Sequence, residues 1–346
     1  MGSDLINFAV IGYGHIGKRH AEMIRSHSRC RLVAVCDVKP ELEAHSREQH
    51  GVPLFEDAAA MLQAKGEEIH VVSVCTPNGL HASHSLLALE HRKHVVCEKP
   101  MGLTKADCEA VIFKALQVSR QVFCVMQNRY SPPSVWLKDV VTSGVLGQVY
   151  MVHINCYWNR DDRYYKISDW KGSLALDGGP LFTQFSHFVD IMYWLFGDIT
   201  DIRARFHNFN HHHNTDFEDS GQVNFAFRNG GLGSINYSTS VWDSNLESSM
   251  TIIGSKGSIK VGGQYMEKVE WCHVQDYAMP ELPPANPPND YGPYKGSAAN
   301  HGFIFQNVVD TLEDGGIATT NALEGLKVVE IIERIYETRP AYPRQK

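Results

Sequence analysis

Three glycines at a fixed spacing carry the first chemistry in the chain. An apolar run, Leu5 to Ile11, turns directly into Gly12-Tyr13-Gly14-His15-Ile16-Gly17, and an acid, Asp37, closes the next apolar run. Gly12 permits a tight turn, Gly14 lets the backbone approach a pyrophosphate, and Gly17 lets the next helix lie on the strand with its N-terminal amides facing the anion. The pattern alone is weak; it gains force from the strand before it and the helical segment, Ile16 to Ser26, after it. A dinucleotide is the expected ligand, with Tyr13, His15 and Ile16 completing the turn. Asp37, about 20 residues on, is placed to accept the ribose hydroxyls and to repel a phosphate there, which favours NAD over NADP. Lys39 argues the other way.

Two further signatures follow apolar runs: Cys75-Thr76-Pro77-Asn78 and Glu98-Lys99-Pro100. In an open α/β sheet ligands bind beyond the carboxyl ends of the strands, so Lys99 is placed to act on a bound cofactor or substrate; the alternative is a solvated lysine. Between Asn159 and Gly172 lie Arg160, Arg163, Lys166 and Lys171, interleaved with Tyr164, Tyr165 and Trp170. An arginine there can clamp a carboxylate in bidentate fashion and lysines suit a diphosphate. The competing reading is a surface segment whose cations pair with Asp161, Asp162 and Asp169.

These groups need elements to hold them. The first 125 residues alternate apolar runs, Leu5 to Ile11, Arg31 to Cys36, Ile69 to Cys75, His94 to Cys97 and Gln121 to Met126, with helical segments. That grammar specifies a parallel sheet covered on both faces, a doubly wound nucleotide-binding domain. Beyond residue 127 the runs lengthen and alternate: Gln148 to Trp158, Ile199 to Phe209, Gly221 to Phe227, Gly231 to Ser240, Ser248 to Gly254, Gly257 to Val261 and Lys268 to His273. They predict an open, mainly antiparallel sheet in an α+β domain, covered by one helix from Gly179 to Phe196. The expected division is 1–126 for the nucleotide domain, 127–319 for a substrate and oligomerisation domain, and 320–346 for a helix returning to the first. The proline-rich stretch from Tyr277 to Ala299 reads as a surface loop or a lid.

Taken together these motifs resemble the glucose-fructose oxidoreductase, inositol dehydrogenase and MocA family along nearly the whole chain. The segment Asp177-Gly178-Gly179-Pro180-Leu181-Phe182-Thr183-Gln184-Phe185-Ser186-His187 joins the glycine turn and the Glu-Lys-Pro motif in that likeness. The resemblance implies NAD as cofactor, with Thr76, Pro77, Asn78, His81, Glu98 and Lys99 on the cofactor side. It also implies a substrate hydroxyl between Lys99 and His187, both catalytic. Many members carry an aspartate four residues before this histidine; here the residue is Thr183. With Gln127 to Pro133 and Asn245-Leu246-Glu247, that departure resembles the sugar-nucleotide dehydrogenases of bacterial surface-polysaccharide pathways. The implied substrate is a UDP-N-acetylated hexuronic acid, oxidised at its 3-hydroxyl and held by Asn128, Arg129, Asn159, Arg160, Thr183 and Gln184, in some relatives with 2-oxoglutarate recycling the cofactor. The alternatives are a dehydrogenase of a free polyol or sugar, and a cofactor-binding regulator without catalysis.

Composition bounds the partners. The 346 residues carry a net charge of −7, with 43% hydrophobic and 21% charged residues, which excludes a nucleic-acid surface and leaves an anionic ligand needing a local cationic pocket. No apolar stretch reaches the roughly 20 residues that span a bilayer, so neither membrane nor nucleic acid is an expected partner and the cytoplasm is the expected compartment. The eight cysteines show no CxxC spacing and read as buried thiols; His211-His212-His213 reads as a solvated loop, and no metal is expected. An apolar uncovered sheet face, and the family's habits, point to a homodimer or homotetramer.

Overall fold

Six parallel strands build the first sheet: β1 (Ile6–Ile11), β2 (Cys30–Cys36), β3 (Leu54–Phe55), β4 (Val71–Val74), β5 (His94–Cys97) and β6 (Val122–Cys124), in the order β3-β2-β1-β4-β5-β6. The computed structural model describes residues 5–290 and 295–339. The helices between the strands are α1 (His15–Ser26), α2 (Leu42–His50), α3 (Ala58–Lys65), α4 (His81–Glu90) and α5 (Lys105–Val118). Strands buried on both faces must be apolar throughout: Phe8, Ala9, Val10, Val71, Val72, Val95 and Val96 have no exposed surface. Strand order reverses between β1 and β4, so the turns leaving them flank the switch point where this fold takes its ligand.

The chain divides into two units, Met1–Met126 with His301–Val329, and Gln127–Asn300 with Glu330–Lys346. The first break falls where composition changes. The return begins at His301, earlier than residue 320, because a helix absent from the sequence reading, His301–Glu313, packs on α1 with Phe305 against Phe8. Beyond it Thr320 O accepts from Cys124 N at 2.8 Å, extending the sheet at the β6 edge.

In the second unit α6 (Pro132–Ser143) precedes seven strands: β7 (Val149–Tyr157), β8 (Ile199–His207), β9 (Ser220–Phe227), β10 (Leu232–Ser238), β11 (Glu247–Gly254), β12 (Gly257–Gly262) and β13 (Lys268–Val274). Their order is β13-β12-β11-β7-β10-β9-β8, antiparallel except where β10 runs parallel to β7. The covered face presents Val152, Ile154, Cys156, Ile235, Tyr237, Met250 and Ile252. The expected single helix over it is broken: α7 is the short turn Asp162–Tyr165, and the cover is α8 (Pro180–Thr183) followed by α9 (Ser186–Phe196). Gly179 sits at φ +119°, and a Cβ there would meet the Tyr336 hydroxyl at 2.7 Å, which explains the glycine. Phe185 and Phe188 then pack edge-on against Trp158.

The open face is less apolar than the alternation implied. Leu232, Met151 and Ile253 form one apolar row across three strands, and the rows beside it are polar: Ser234, His153 and Thr251, then Asn236, Asn155 and Ser249. His153 Nδ1 lies 2.8 Å from Ser234 Oγ, and Asn236 donates to Asn155 at 3.1 Å. Part of the proline-rich stretch is ordered by a strand pair, Pro288–Asp290 with Lys295–Ala298. Among the described residues no helix is long and apolar enough to cross a membrane, and no cysteine is in a disulfide.

Candidate functional site

The glycine turn is built as its spacing requires. Gly12 adopts φ +88°, and a Cβ there would sit 2.6 Å from the Cys75 carbonyl; one on Gly17 would sit 1.8 Å from Gly12 O. Gly14 differs: a Cβ there would meet nothing within 4 Å, so the open side of the turn lies before its α-carbon. Gly14 also N-caps α1 and His15 begins the helix, so the positive end of the helix dipole lies at the glycine turn, where an anion is favoured. Asp37, at the end of β2, accepts from Tyr13 N at 2.7 Å and Lys39 N at 3.1 Å, which fixes its carboxylate with lone pairs to spare for ribose hydroxyls. These features fit a dinucleotide carrying a plain ribose. Two expected cofactor residues are placed otherwise. The Tyr13 ring is buried on His45, its hydroxyl 3.0 Å from His45 Nδ1, and burial pushes its pKa up to about 12, so its side chain packs on α2.

His81 is the second. It is 1% exposed, with Nδ1 2.6 Å from Pro100 O and Nε2 2.8 Å from Thr76 O, so both ring nitrogens are occupied by the protein. Pro77 and Asn78 form the turn between β4 and α4, with Asn78 buried. Beyond β5, Glu98 is buried and its Oε1 lies 2.9 Å from His20 Nε2 and 3.5 Å from His301 Nε2, while its Oε2 accepts from Lys99 N at 3.1 Å. Burial alone would raise the Glu98 carboxyl; the two imidazoles overcome it and hold the group well below the usual carboxylate range. Among the described residues this trio alone has ligand atoms close enough to share a metal ion, and within it the His20–Glu98 distance of 2.9 Å is that of a direct hydrogen bond. The sequence reading missed His20 and His301, which lie on helices far from Glu98 in the chain. The consecutive histidines part company: His211 Nδ1 contacts buried Asp219 at 3.2 Å and His213 contacts Asp162.

In the second unit His187 opens the second residue of α9, 2% exposed, with Nε2 3.2 Å from Gln127 Nε2. Arg129, expected against a substrate, is turned to the fold. Its Nε and Nη2 reach the two oxygens of Asp190 at 2.9 and 2.5 Å, both side chains are fully buried, and its guanidinium lies over Trp194. A buried carboxylate on an otherwise apolar helix demanded that partner. Asn159 is held by the fold: its side-chain amide donates to Val241 O at 2.7 Å and its backbone N–H donates to Asn245 Oδ1 at 2.9 Å. Asn128 and Gln184 are buried with Oδ1 and Oε1 unpartnered among the described residues, and Gln184 Nε2 donates to Tyr164 Oη at 2.9 Å.

The cationic segment splits into both of its readings. Arg163 and Lys166 are solvated and pair with Asp161 and Asp162. Arg160, 2% exposed, lies over the Trp158 and Tyr164 rings, with neutral oxygens of Asn159, Asn245 and Lys295 as hydrogen-bond acceptors. Lys171 Nζ stands 3.8 Å from the centroid of the same Tyr164 ring, and burial with Arg160 nearby brings its pKa down to about 8. Thr183 donates to the Asp177 carboxylate, which is wholly buried and raised by that burial to about 6. Lys171 was read only as one of the lysines of the cationic segment, and Asp177 was given no role; only folding brings them to Tyr164 and Thr183.

A nucleotide-binding sheet with this turn, joined to an open mixed sheet, defines a class of two-domain oxidoreductases. Residues 6–125 match the model of the oxidoreductase family with an NAD-binding Rossmann fold (GFO_IDH_MocA), and residues 135–260 match the C-terminal domain of the same family. The chain belongs to that family, and NAD is its cofactor. Among solved structures it is similar to the WlbA dehydrogenase of Chromobacterium violaceum in complex with NADH and UDP-GlcNAcA, at 29% identity and a TM-score of 0.87 over 98% of this chain and 94% of that one. The WlbA dehydrogenase of Bordetella pertussis, with the same ligands, gives 29% and 0.86 over 96% of each. A curated relative, the D-glucoside 3-dehydrogenase of Escherichia coli, is 30% identical over 57% of this chain and 56% of its own, so the match spans just over half of that protein.

Proposed function

We propose that the chain is an NAD-dependent dehydrogenase of a UDP-N-acetylated hexuronic acid, acting on the sugar 3-hydroxyl. The observation that carries this reading is the pair of cations, buried Arg160 and half-buried Lys171, held on the one Tyr164 ring. Asp177 offsets part of the Lys171 charge; two cations side by side still favour an anionic group on the substrate, which a neutral polyol does not supply. The WlbA structures with UDP-GlcNAcA support the same substrate class.

NAD, when bound, supplies the hydride acceptor. Oxidation of a secondary alcohol breaks the C–H bond with its electron pair and the O–H bond as a proton, leaving a ketone. His187 is assigned as the base that takes the hydroxyl proton, Lys99 as the cation that stabilises the oxygen as it gains charge. Arg160 and Lys171 hold the carboxylate, away from the reacting carbon, so that binding energy there orients the hydroxyl. The test follows NADH and 3-keto product with UDP-GlcNAcA and NAD, with and without 2-oxoglutarate as recycling acceptor. Product in either format supports the reading. Turnover of glucosides or inositols and none of the nucleotide sugar would replace it with the free-sugar reading, which the D-glucoside relative favours.

A further inference from the structure

His81 opens α4 yet serves two turns that leave different strands. Thr76 follows β4 and Pro100 follows β5, and the ladder between these strands ends at Val74 and Cys97, with one more bond from Glu98 N to Val74 O. Past that point the imidazole of His81 links Thr76 O to Pro100 O, at 2.8 and 2.6 Å. Carbonyl oxygens only accept, so both contacts are hydrogen bonds only when both ring nitrogens carry protons. Burial, with Lys99 adding to it, outweighs the two carbonyls and Glu98 and holds the imidazole below its usual value, so the neutral ring donates to one carbonyl and lies against the other. His84, one turn along α4, adds a contact from Nδ1 to Thr76 Oγ1 at 3.3 Å. Lys99 therefore has a clamped neighbour on each side: Glu98, gripped by His20 and His301, and Pro100, gripped by His81.

We propose that His81 is a positioning residue for Lys99, clasping the Thr76 and Pro100 carbonyls so that the backbone carrying Lys99 keeps one conformation. The proposal rests on the reading that Lys99 acts at the reacting hydroxyl, and it moves His81 from cofactor contact to support of a catalytic group. A displacement of about 1 Å in such a group costs on the order of 100-fold in turnover.

The experiment compares His81→Ala and His81→Gln with wild type, all saturated with NAD. Gln keeps an N–H donor for one of the turns without the ring that spans them, and it guards against loss of the fold in the Ala variant. Three quantities are read: hydrogen exchange in peptides covering 75–80 and 98–103, the rate of Lys99 acetylation against pH by mass spectrometry, and kcat with KM. We expect faster exchange in both turns with the β1 and α1 amides unchanged, and a shifted pH midpoint for Lys99 labelling. We further expect kcat lowered about 10- to 100-fold, KM and NAD affinity within about threefold, and Gln intermediate. Unchanged Lys99 labelling, exchange that rises evenly through the first unit together with lost NAD binding, or an unaltered kcat would each overturn the proposal. If wild type turns over no sugar, the functional reading fails by itself, and exchange and labelling still decide the role of His81.

Discussion

At the scale of single residues the chemistry rests on a few groups whose surroundings set their charge. Lys99→Ala should abolish turnover, by at least about 100-fold in kcat, while NAD affinity measured by titration stays near wild type, the proposed cofactor groups being the glycine turn and Asp37. Lys171 makes a sharper prediction. With its pKa brought down to about 8 by burial first and by Arg160 second, it is charged below that pH and neutral above it. KM for a carboxylated substrate should then rise above about pH 8 while a neutral sugar nucleotide shows no such limb. Lys171→Met should raise KM at pH 7 and remove the alkaline limb, and a limb that survives the substitution would assign it elsewhere. The sign also reaches stability: between pH 8 and 10.5 the unfolded chain holds the proton more tightly, so this group favours folding as the pH rises through that window. Residue type and spacing made the turn conformations of Gly12 and Gly17 legible because their demands are local to one turn, and Asp37 followed from its place at the end of the second strand. The protein partners of Arg129, Asn159 and His81 were not legible, because they lie on other elements, Asp190, Val241 and Pro100, and no local pattern reports that.

At the scale of elements the periodicity carried most of the fold. All seven long strands of the second unit fall where alternation placed them, because one covered face enforces a period of two. The parallel step between β7 and β10 was invisible to it, since alternation records which face is buried and not which way a neighbour runs. α6 and the helix His301–Glu313 were also missed. Within α9 the Arg129–Asp190 pair ties the helix that carries His187 to the turn Gln127–Tyr130, which supplies the Gln127 contact to the His187 ring. Asp190→Ala leaves the buried guanidinium without its carboxylate and should cost about 3–5 kcal/mol of stability, read by urea unfolding. The double change Arg129→Met with Asp190→Leu removes both charges and should recover most of that loss. If the double variant is as unstable as the single one, the penalty comes from packing and not from an orphaned charge.

At the scale of the molecule the sequence order and the folded units do not coincide, and this has a consequence for dissection. The chain leaves the first unit after Met126, returns after Asn300 and leaves again after Val329. A fragment ending at Met126 would contain the whole of the six-stranded sheet and every motif that marks NAD binding. It would lack the helix His301–Glu313, in which Ile304, Phe305, Val308 and Val309 are buried and Phe305 packs on Phe8 and His20. It would also lack Thr320, whose backbone carbonyl caps the β6 edge and whose hydroxyl donates to Cys124 O. Burial of an aliphatic or aromatic side chain is worth roughly 1.5–3 kcal/mol, so four such side chains amount to a sum comparable with the 5–15 kcal/mol that holds a whole domain. The fragment 1–126 should therefore fail to fold cooperatively and fail to bind NAD. The same residues joined by a short linker to 301–329 should recover both a sigmoidal melt by circular dichroism and NAD binding by calorimetry. A cooperative, NAD-binding 1–126 would mean that the parallel sheet with its own five helices suffices, and that the returning segment serves the second unit instead.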